Sequence, residues 1–579
     1  MRIDNAKQTV IEKVAIAITA ITYLTVFYRT LPHSDALRIV RQIEQAHLIW
    51  NPNHLLFDPL GYVVYALISW LGLEITMLGS FSIISGTATV LSLLIFHSIL
   101  MRLGIKLPSV RLVGTACVWA SHAFLSQSVS QYYFMVQMPF LLGALYLYFD
   151  FIIRLQAGQV SHRNIYSMGL LLALSATIMF NNLLLVLAAG AGVGLVGKSW
   201  RTWQMGFPLR LWGAAAALGV PVFIVGYLFS GQESGFFTWL LSYGGDSASK
   251  LNEFYGIKWT PSGVIDAAAM VVFNTILGGL LSTAGLGTIL RVFMFGYVYE
   301  FNPDYGLIVP NMLLAPAVIV LSLVAGYYAI RHLSRDTSAR FLVLWIASYL
   351  VFNILWNAGD DIFWIQIIPP TWLIVLKSQG IMTNVSPASR NEGFSLGHRN
   401  WRWYAFIALV SMLFIVNTRA IVLPVSGSGF LLKQAQHEKL LRSGDLEIIP
   451  GWDEQKWMML SNGAPSVQRI ALMNAALEPE GSPKHIKKLD DIVASHLRRG
   501  GRVIVARLYD LDEDLLPWYS LKKLGWPRKI IQGLLASYCN RPLAEINGVK
   551  FRELYLCPTT KTLAIPGIDA PRNSNVKNK

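Results

Sequence analysis

Apolar residues fill most of this chain in long blocks, and the polar positions between the blocks recur with a sign. A helix needs about 20 apolar residues to cross the hydrocarbon core of a bilayer. On that measure the blocks predict spans near residues 12–30, 80–101, 110–128, 133–153, 165–181, 183–198, 209–229, 306–330, 340–357, 362–378 and 402–423. Every second gap is basic: Arg102, Lys106 and Arg111; Arg154, His162 and Arg163; Lys198, Arg201 and Arg210; Arg331, Arg335 and Arg340; Lys377, Arg390, Arg399 and Arg402. Basic loops stay in the cytoplasm. The pattern therefore predicts a cytoplasmic N-terminus and an extracytoplasmic chain beyond residue 424. No Ala-x-Ala cleavage pattern follows the first block, so it is read as a retained span.

Three stretches complicate the count. Tyr62 to Leu73 is apolar but short, and only one crossing fits between residue 30 outside and Arg102 inside, so 61–73 is expected to lie as a helix at the outer interface. Outer loops then cover 31–79 and 231–305. Within the second, Val264 to Leu290 is apolar enough to enter the membrane, giving eleven or thirteen spans. Asn181-Asn182 breaks two neighbouring spans as a tight outer turn.

The pattern changes at residue 425. Ser426-Gly-Ser-Gly429 reads as a linker, and the predicted membrane domain is 1–424. Beyond it, charged residues are spread throughout, with strand-like runs at 446–449, 469–473 and 502–506. Pro483 to Arg499 has helical spacing and is followed by Gly500-Gly501, a stop signal. Strand, helix, Gly-Gly, strand predicts a small α/β domain over 425–570, with 571–579 as a disordered tail. Cys539 and Cys557 both fall in it. On an oxidising side they could pair, and two buried free thiols is the other reading.

Composition fits this picture. Of 579 residues, 54% are hydrophobic and 14% charged, with a mean hydropathy of +0.46. A soluble protein carries about 25% charged residues. The formal charge of +15 resides in the short alternating loops, where it orients spans, and is not read as a nucleic-acid surface. Three cysteines exclude a disulfide-dense scaffold.

Polar groups with chemical potential are scarce, so their clustering is informative. Asp35 follows the first span closely. A carboxylate there suits a general base worth about 10²–10⁴-fold, while Ser34-Asp35 also suits a helix N-cap. Asn53-His54-Leu-Leu-Phe-Asp58-Pro59 offers His54 and Asp58 four apart, and Pro59 argues against helix at Asp58. The bland reading is a polar turn. The functional one aims both side chains at the pocket of Asp35. His33 and His47 read as ordinary interface residues. Asp360 and Asp361 occupy a short outer loop flanked by Trp356, Phe363 and Trp364, either as loop charges or as the floor of the same cavity. Ser126 to Tyr133 is another outer turn, read either as a plain loop or as one in which Gln131 and Tyr132 hydrogen-bond a sugar. Lys250, Lys258 and Arg291 are the cations of the long outer loop, with Arg291 best placed for a lipid-linked phosphate. No Walker A sequence, dinucleotide fingerprint or Cys-x-x-Cys is present. Acids are nearly absent from mid-span, which counts against an ion-coupled transporter. No cluster has convincing metal-ligand spacing.

A first span, an outer loop with an early Asp, and a His- and Pro-containing turn leading into an apolar helix resemble the GT-C superfamily of membrane glycosyltransferases. The nearest types are the bacterial protein mannosyltransferases and aminoarabinose transferases. Asn53-His54-Leu-Leu-Phe-Asp58-Pro59-Leu60 stands where that family often has His-Pro-Pro-Leu. The Ser126–Tyr133 turn looks like the polar turn after the family's third span. In two places the chain departs: Ala36 follows Asp35 where the family often has Asp-Glu, and the late outer loop offers Asp360 and Asp361 where relatives often place a basic residue. The resemblance implies an α-helical polytopic GT-C-like protein with a C-terminal α/β domain, in a bacterial cytoplasmic membrane. It implies inverting transfer of a sugar from a polyprenyl-phosphate-linked donor to a glycan, lipid or protein acceptor at the outer face. Asp35 would be the general base, with His54, Asp58, Gln131, Tyr132, Arg291, Asp360 and Asp361 binding substrate. A divalent metal is compatible with the sequence and not required by it. A polysaccharide polymerase or ligase, a lipid-linked oligosaccharide transporter and a scaffold working through 425–579 are the rival readings.

Overall fold

The computed structural model describes residues 2–27, 50–195, 204–231, 235–241, 265, 268, 271, 279–281, 305–355, 361–379, 400–426, 430–450, 467–472, 482–506, 508–509, 528–546 and 549–557. The chain divides into two compact units, the first ending at Ser428 and the second holding Gly429 onward.

The first unit is helical and is built as a multi-pass membrane protein. Its helices are α1 (Arg2–Phe27), a 3-10 turn at Pro52–His54, α2 (Phe57–Trp70), α3 (Met77–Arg102), α4 (Pro108–Ala120), α5 (His122–Ser128), α6 (Tyr133–Val136), α7 (Met138–Gln156), α8 (His162–Ile178), α9 (Asn182–Gly194), α10 (Gly206–Ser230), α11 (Phe236–Leu241), α12 (Tyr305–His332), α13 (Thr337–Leu355), a 3-10 segment at Asp361–Ile367, α14 (Ile368–Ser378) and α15 (Asn400–Ser426). Within the described residues each of the eleven predicted spans overlaps helix. Among the described residues seven are long and apolar enough to cross a bilayer. The other four predicted spans are short or interrupted: α8 has 17 residues, α9 has 13, α4 breaks from α5 at Ser121, and the 362–378 span opens as 3-10 helix.

The break at Ser121 shows how irregular backbone is accommodated in this bundle. Ser121 is extended, so the next amides lose their helical partners. His122 N–H donates to Leu280 O (3.2 Å) and Ala123 N–H to Gly279 O (3.2 Å). Asn417 Nδ2 donates to both Ala120 O and Leu280 O, and Trp372 Nε1 to Ser121 Oγ. Non-helical backbone at membrane depth is tolerated where protein satisfies it. Val271, Leu280 and Leu281 belong to the buried core, so part of the apolar stretch Val264–Leu290 enters the bundle.

Close helix approach follows from small residues. A Cβ on Gly169 of α8 would stand 2.4 Å from the carbonyl oxygen of Leu211 on α10. Pro59 does not end a helix, contrary to the expectation from sequence. It falls in the first turn of α2, where no amide hydrogen is needed, so Asp58 is helical. That helix buries Phe57, Asp58 and Gly61 and exposes Leu60, Tyr62, Val63, Leu67 and Trp70, as an interfacial helix would.

Some cations of the basic gaps are held by acids or by backbone carbonyls. Arg102 and Arg154 pair with Asp150, Lys377 Nζ lies 2.6 Å from Asp336, and Arg340 donates to Leu195 O (2.9 Å). Glu12, an acid inside α1, is 2% exposed and is met by Arg111 Nε (2.8 Å) and His97 Nε2 (2.7 Å).

The second unit is the expected α/β domain. α16 (Phe430–Leu440), β1 (Leu446–Ile449), β2 (Gln468–Ala471), α17 (Ser482–Arg498), β3 (Val503–Ala506), α18 (Arg528–Ala536), β4 (Cys539–Ile546) and β5 (Val549–Tyr555) form it. Among the described residues the sheet order is β2-β1-β3-β5-β4, parallel through β3 and antiparallel beyond. Gly500 takes φ +77° after α17, the left-handed stop that glycine permits. Cys539 and Cys557 form a disulfide across the β4–β5 hairpin.

Candidate functional site

Around the turn after Trp50, polar and aromatic side chains converge. The segment after Trp50 is pinned from both sides. Asn51 Oδ1 accepts from Asn53 N–H (2.9 Å), Phe180 N–H donates to Asn53 O (2.9 Å), and Leu56 N–H donates to Thr177 O (3.0 Å). This anchors the turn to the C-terminal end of α8. His54, 8% exposed, then stacks flat on Tyr133 with ring centroids 4.5 Å apart. Phe57 packs edge-on against both Tyr132 and Tyr133, and the Tyr132 hydroxyl donates to that of Tyr133 (2.9 Å). Asp58 is buried in the first turn of α2, where the helix dipole favours a negative charge.

Four of the residues singled out from sequence therefore come together: His54, Asp58, Gln131 and Tyr132. Gln131 precedes Tyr132 in a left-handed backbone, φ +49°, rare for a residue with a Cβ. Asp35, Arg291 and Asp360 lie outside the described residues, as do His33, His47, Lys250, Lys258 and Trp356. Asp361 opens the 3-10 segment, and its side chain also lies outside the description. Among the described residues no three His, Cys, Asp or Glu side chains assemble into a metal-binding group.

The surrounding bundle holds residues the sequence reading did not assign. Gln137, Asn182 and Tyr349 form one buried network: Asn182 Nδ2 donates to Gln137 Oε1 and to Ser175 O, and Tyr349 OH donates to Asn182 Oδ1 (2.6 Å). Gln366 joins through Trp345 Nε1, which donates to its carbonyl (3.0 Å), and through its own amide on Met179 Sδ (3.3 Å). Next to them, Oε1 of Gln131 and of Gln366, both polar atoms of Asn181 and the Trp364 indole nitrogen have no hydrogen-bond partner among the described residues. All four residues are under 9% exposed. Buried polar atoms without partners are rare and mark strain or a ligand surface. The available signal was amide side chains inside apolar spans, which Asn181 and Gln366 display.

Chemically, the described side chains here combine aromatic faces and amide groups with one buried carboxylate, Asp58, a set suited to hydroxyl groups and carbohydrate rings.

No family model and no curated relative matches the chain. Solved structures do. An oligosaccharyltransferase from Archaeoglobus fulgidus, tethered to an acceptor peptide containing the NVT sequon, aligns at TM-score 0.52 and 11% identity, over 91% of this chain and 72% of that one. Its apo form aligns at TM-score 0.51 and 11% identity, over 92% and 73%. ArnT from Cupriavidus metallidurans bound to undecaprenyl phosphate aligns at TM-score 0.49 and 11% identity, over 94% and 97%. At 11% identity the likeness is one of fold: the chain shares the fold of that archaeal oligosaccharyltransferase.

Proposed function

We propose that the protein transfers a sugar from a polyprenyl-phosphate-linked donor to a glycan, lipid or protein acceptor at the outer face of a bacterial cytoplasmic membrane. The observation that carries this reading is an aromatic, hydrogen-bonding cluster around His54, Gln131, Tyr132 and Tyr133, in a helical bundle with the fold of an oligosaccharyltransferase. The oligosaccharyltransferase with the same fold was captured with an acceptor peptide, which fits a role in presenting an acceptor to a donor. The disulfide of the second unit fits an oxidising, extracytoplasmic side for that domain.

In this reaction Asp35 takes the proton of the acceptor hydroxyl. The oxygen attacks the anomeric carbon and inverts it, and the lipid phosphate leaves with the bonding electrons. Arg291 stabilises the charge on the leaving phosphate. His54, Asp58, Gln131 and Tyr132 bind the saccharide by stacking and hydrogen bonds, and Asp360 and Asp361 are assigned to substrate binding with them. Asp35→Asn is expected to abolish transfer, measured as label passing from the lipid-linked sugar to surface glycan, while membrane insertion is retained. Wild-type turnover in that variant overturns the assignment of the base.

A further inference from the structure

Asn182 opens α9 at the turn from α8 and is fully buried. Its carboxamide is bonded on both sides. Nδ2 donates to Ser175 O (3.0 Å) and to Gln137 Oε1 (2.5 Å), and Oδ1 accepts from the Tyr349 hydroxyl (2.6 Å). A backbone carbonyl can only accept, so Ser175 O fixes which way the Asn182 amide faces. The second Nδ2 hydrogen then calls for the oxygen of Gln137, and the Gln137 Nε2 group is left to donate to Met179 Sδ (3.1 Å). One carbonyl thus sets the orientation of two amides in series. Both amides are fully buried, where a lost partner is not replaced by water.

The two segments joined by these amides each carry part of the saccharide cluster. On one side the C-terminal end of α8 holds the His54 turn through the backbone: Leu56 N–H donates to Thr177 O and Phe180 N–H to Asn53 O. On the other, Gln137 follows α6 directly, and its N–H donates to Tyr133 O (3.4 Å). His54 and Tyr133 stack where the two segments meet. The side chains of Asn182 and Met179 tie the first segment to Gln137 of the second, and Tyr349 of α13 holds the Asn182 amide from behind. We infer that Asn182 is a positioning residue: it sets the register of the His54 turn against the Tyr132–Tyr133 turn, and thereby the affinity of the cluster for the saccharide. The inference rests on the proposed binding of a lipid-linked sugar by this cluster.

Full-length protein in lipid nanodiscs is titrated with undecaprenyl phosphate and with undecaprenyl-phosphate-linked glucose, galactose, mannose and arabinose. The sugar contribution is the ratio of the best sugar-linked affinity to that of undecaprenyl phosphate alone. Asn182→Leu, similar in size and unable to hydrogen-bond, is expected to lower that ratio about tenfold, the equivalent of one well-placed hydrogen bond, with the affinity for undecaprenyl phosphate alone unchanged. Tyr349→Phe removes only the hydroxyl behind the amide and is expected to lower the ratio about threefold, so the result does not depend on one variant folding. In a His54→Ala background Asn182→Leu is expected to cost nothing further, because Asn182 acts on the sugar through His54. A ratio unchanged in both variants, an equal loss for undecaprenyl phosphate alone, or losses at Asn182 and His54 that add in full overturns the positioning role. Wild-type protein that binds undecaprenyl phosphate as tightly as every sugar-linked form overturns the saccharide cluster, and the role of Asn182 with it. Failure of the wild type to bind any of these lipids overturns the proposed function itself.

Discussion

Glu447 shows what a single buried charge does in this protein. It sits fully buried on β1, with His437 Nε2 at 2.6 Å from one carboxylate oxygen and Arg469 Nε donating to the other at 2.7 Å. Burial alone would raise its pKa, but the hydrogen bond and charge of His437, followed by Arg469, outweigh burial and hold the carboxyl below its usual range. A depressed folded pKa contributes stability above the unfolded value, near 4.3, and loses it as pH falls. Native-state hydrogen exchange of β1 in the full-length protein, corrected for intrinsic rates, should be level from about pH 7 to about pH 5.5 and accelerate below about pH 4. Glu447→Gln should remove that acid dependence. Asp336 obeys the same sign: burial raises it, but Lys377 and the amides of Ser338 and Ala339 bring it below the ordinary value. At this scale the sequence offers residue types and not their neighbours. Nothing in the spacing of Glu12, His97 and Arg111 announces one buried cluster, because the contact spans 99 positions.

At the level of elements, α2 carries the candidate turn, and its seat on α3 is tight. A Cβ added at Gly61 would stand 2.2 Å from Phe81 Cζ. Phe81 is fully buried and packs 4.6 Å from Phe57, so it has little room to retreat. Gly61→Ala should cost about 1–3 kcal/mol by overpacking, read as a lowered heat-denaturation midpoint of the purified protein. It should also weaken sugar binding, because Phe57 supports both Tyr132 and Tyr133. Helix positions were legible from hydrophobic blocks. Two features hid behind that pattern: Pro59, which is compatible with the first turn of a helix, and the break at Ser121, which is held open by groups from residues 279–280 and Asn417. In the second unit β1, β2, β3 and α17 lie where the sequence placed them. The β4–β5 hairpin was missed although Asn547-Gly548 separates its strands, a strong turn signal.

For the whole molecule, orientation is the testable quantity. With the second unit outside, Cys539 and Cys557 should be paired in cells and become reactive to a membrane-impermeant maleimide after treatment of intact cells with an impermeant reductant. Cys117, buried in the bundle, should stay unlabelled until denaturation. Labelling only after lysis would place the domain in the cytosol.

Sequence alone determined that the chain is a polytopic membrane protein, that its basic gaps alternate, and that an α/β domain follows the last span. Hydrophobic length and charge sign are local quantities, read directly from consecutive residues. It also marked His54, Asp58, Gln131 and Tyr132, since polar residues beside apolar spans stand out. Tertiary structure decided which of these meet, that His54 lies on Tyr133, and that Asn181, Trp364 and Gln366 are buried in the bundle. The physical reason is that helix packing, not sequence spacing, sets which ends adjoin, and buried hydrogen-bonding capacity can be counted only once every neighbour is in place.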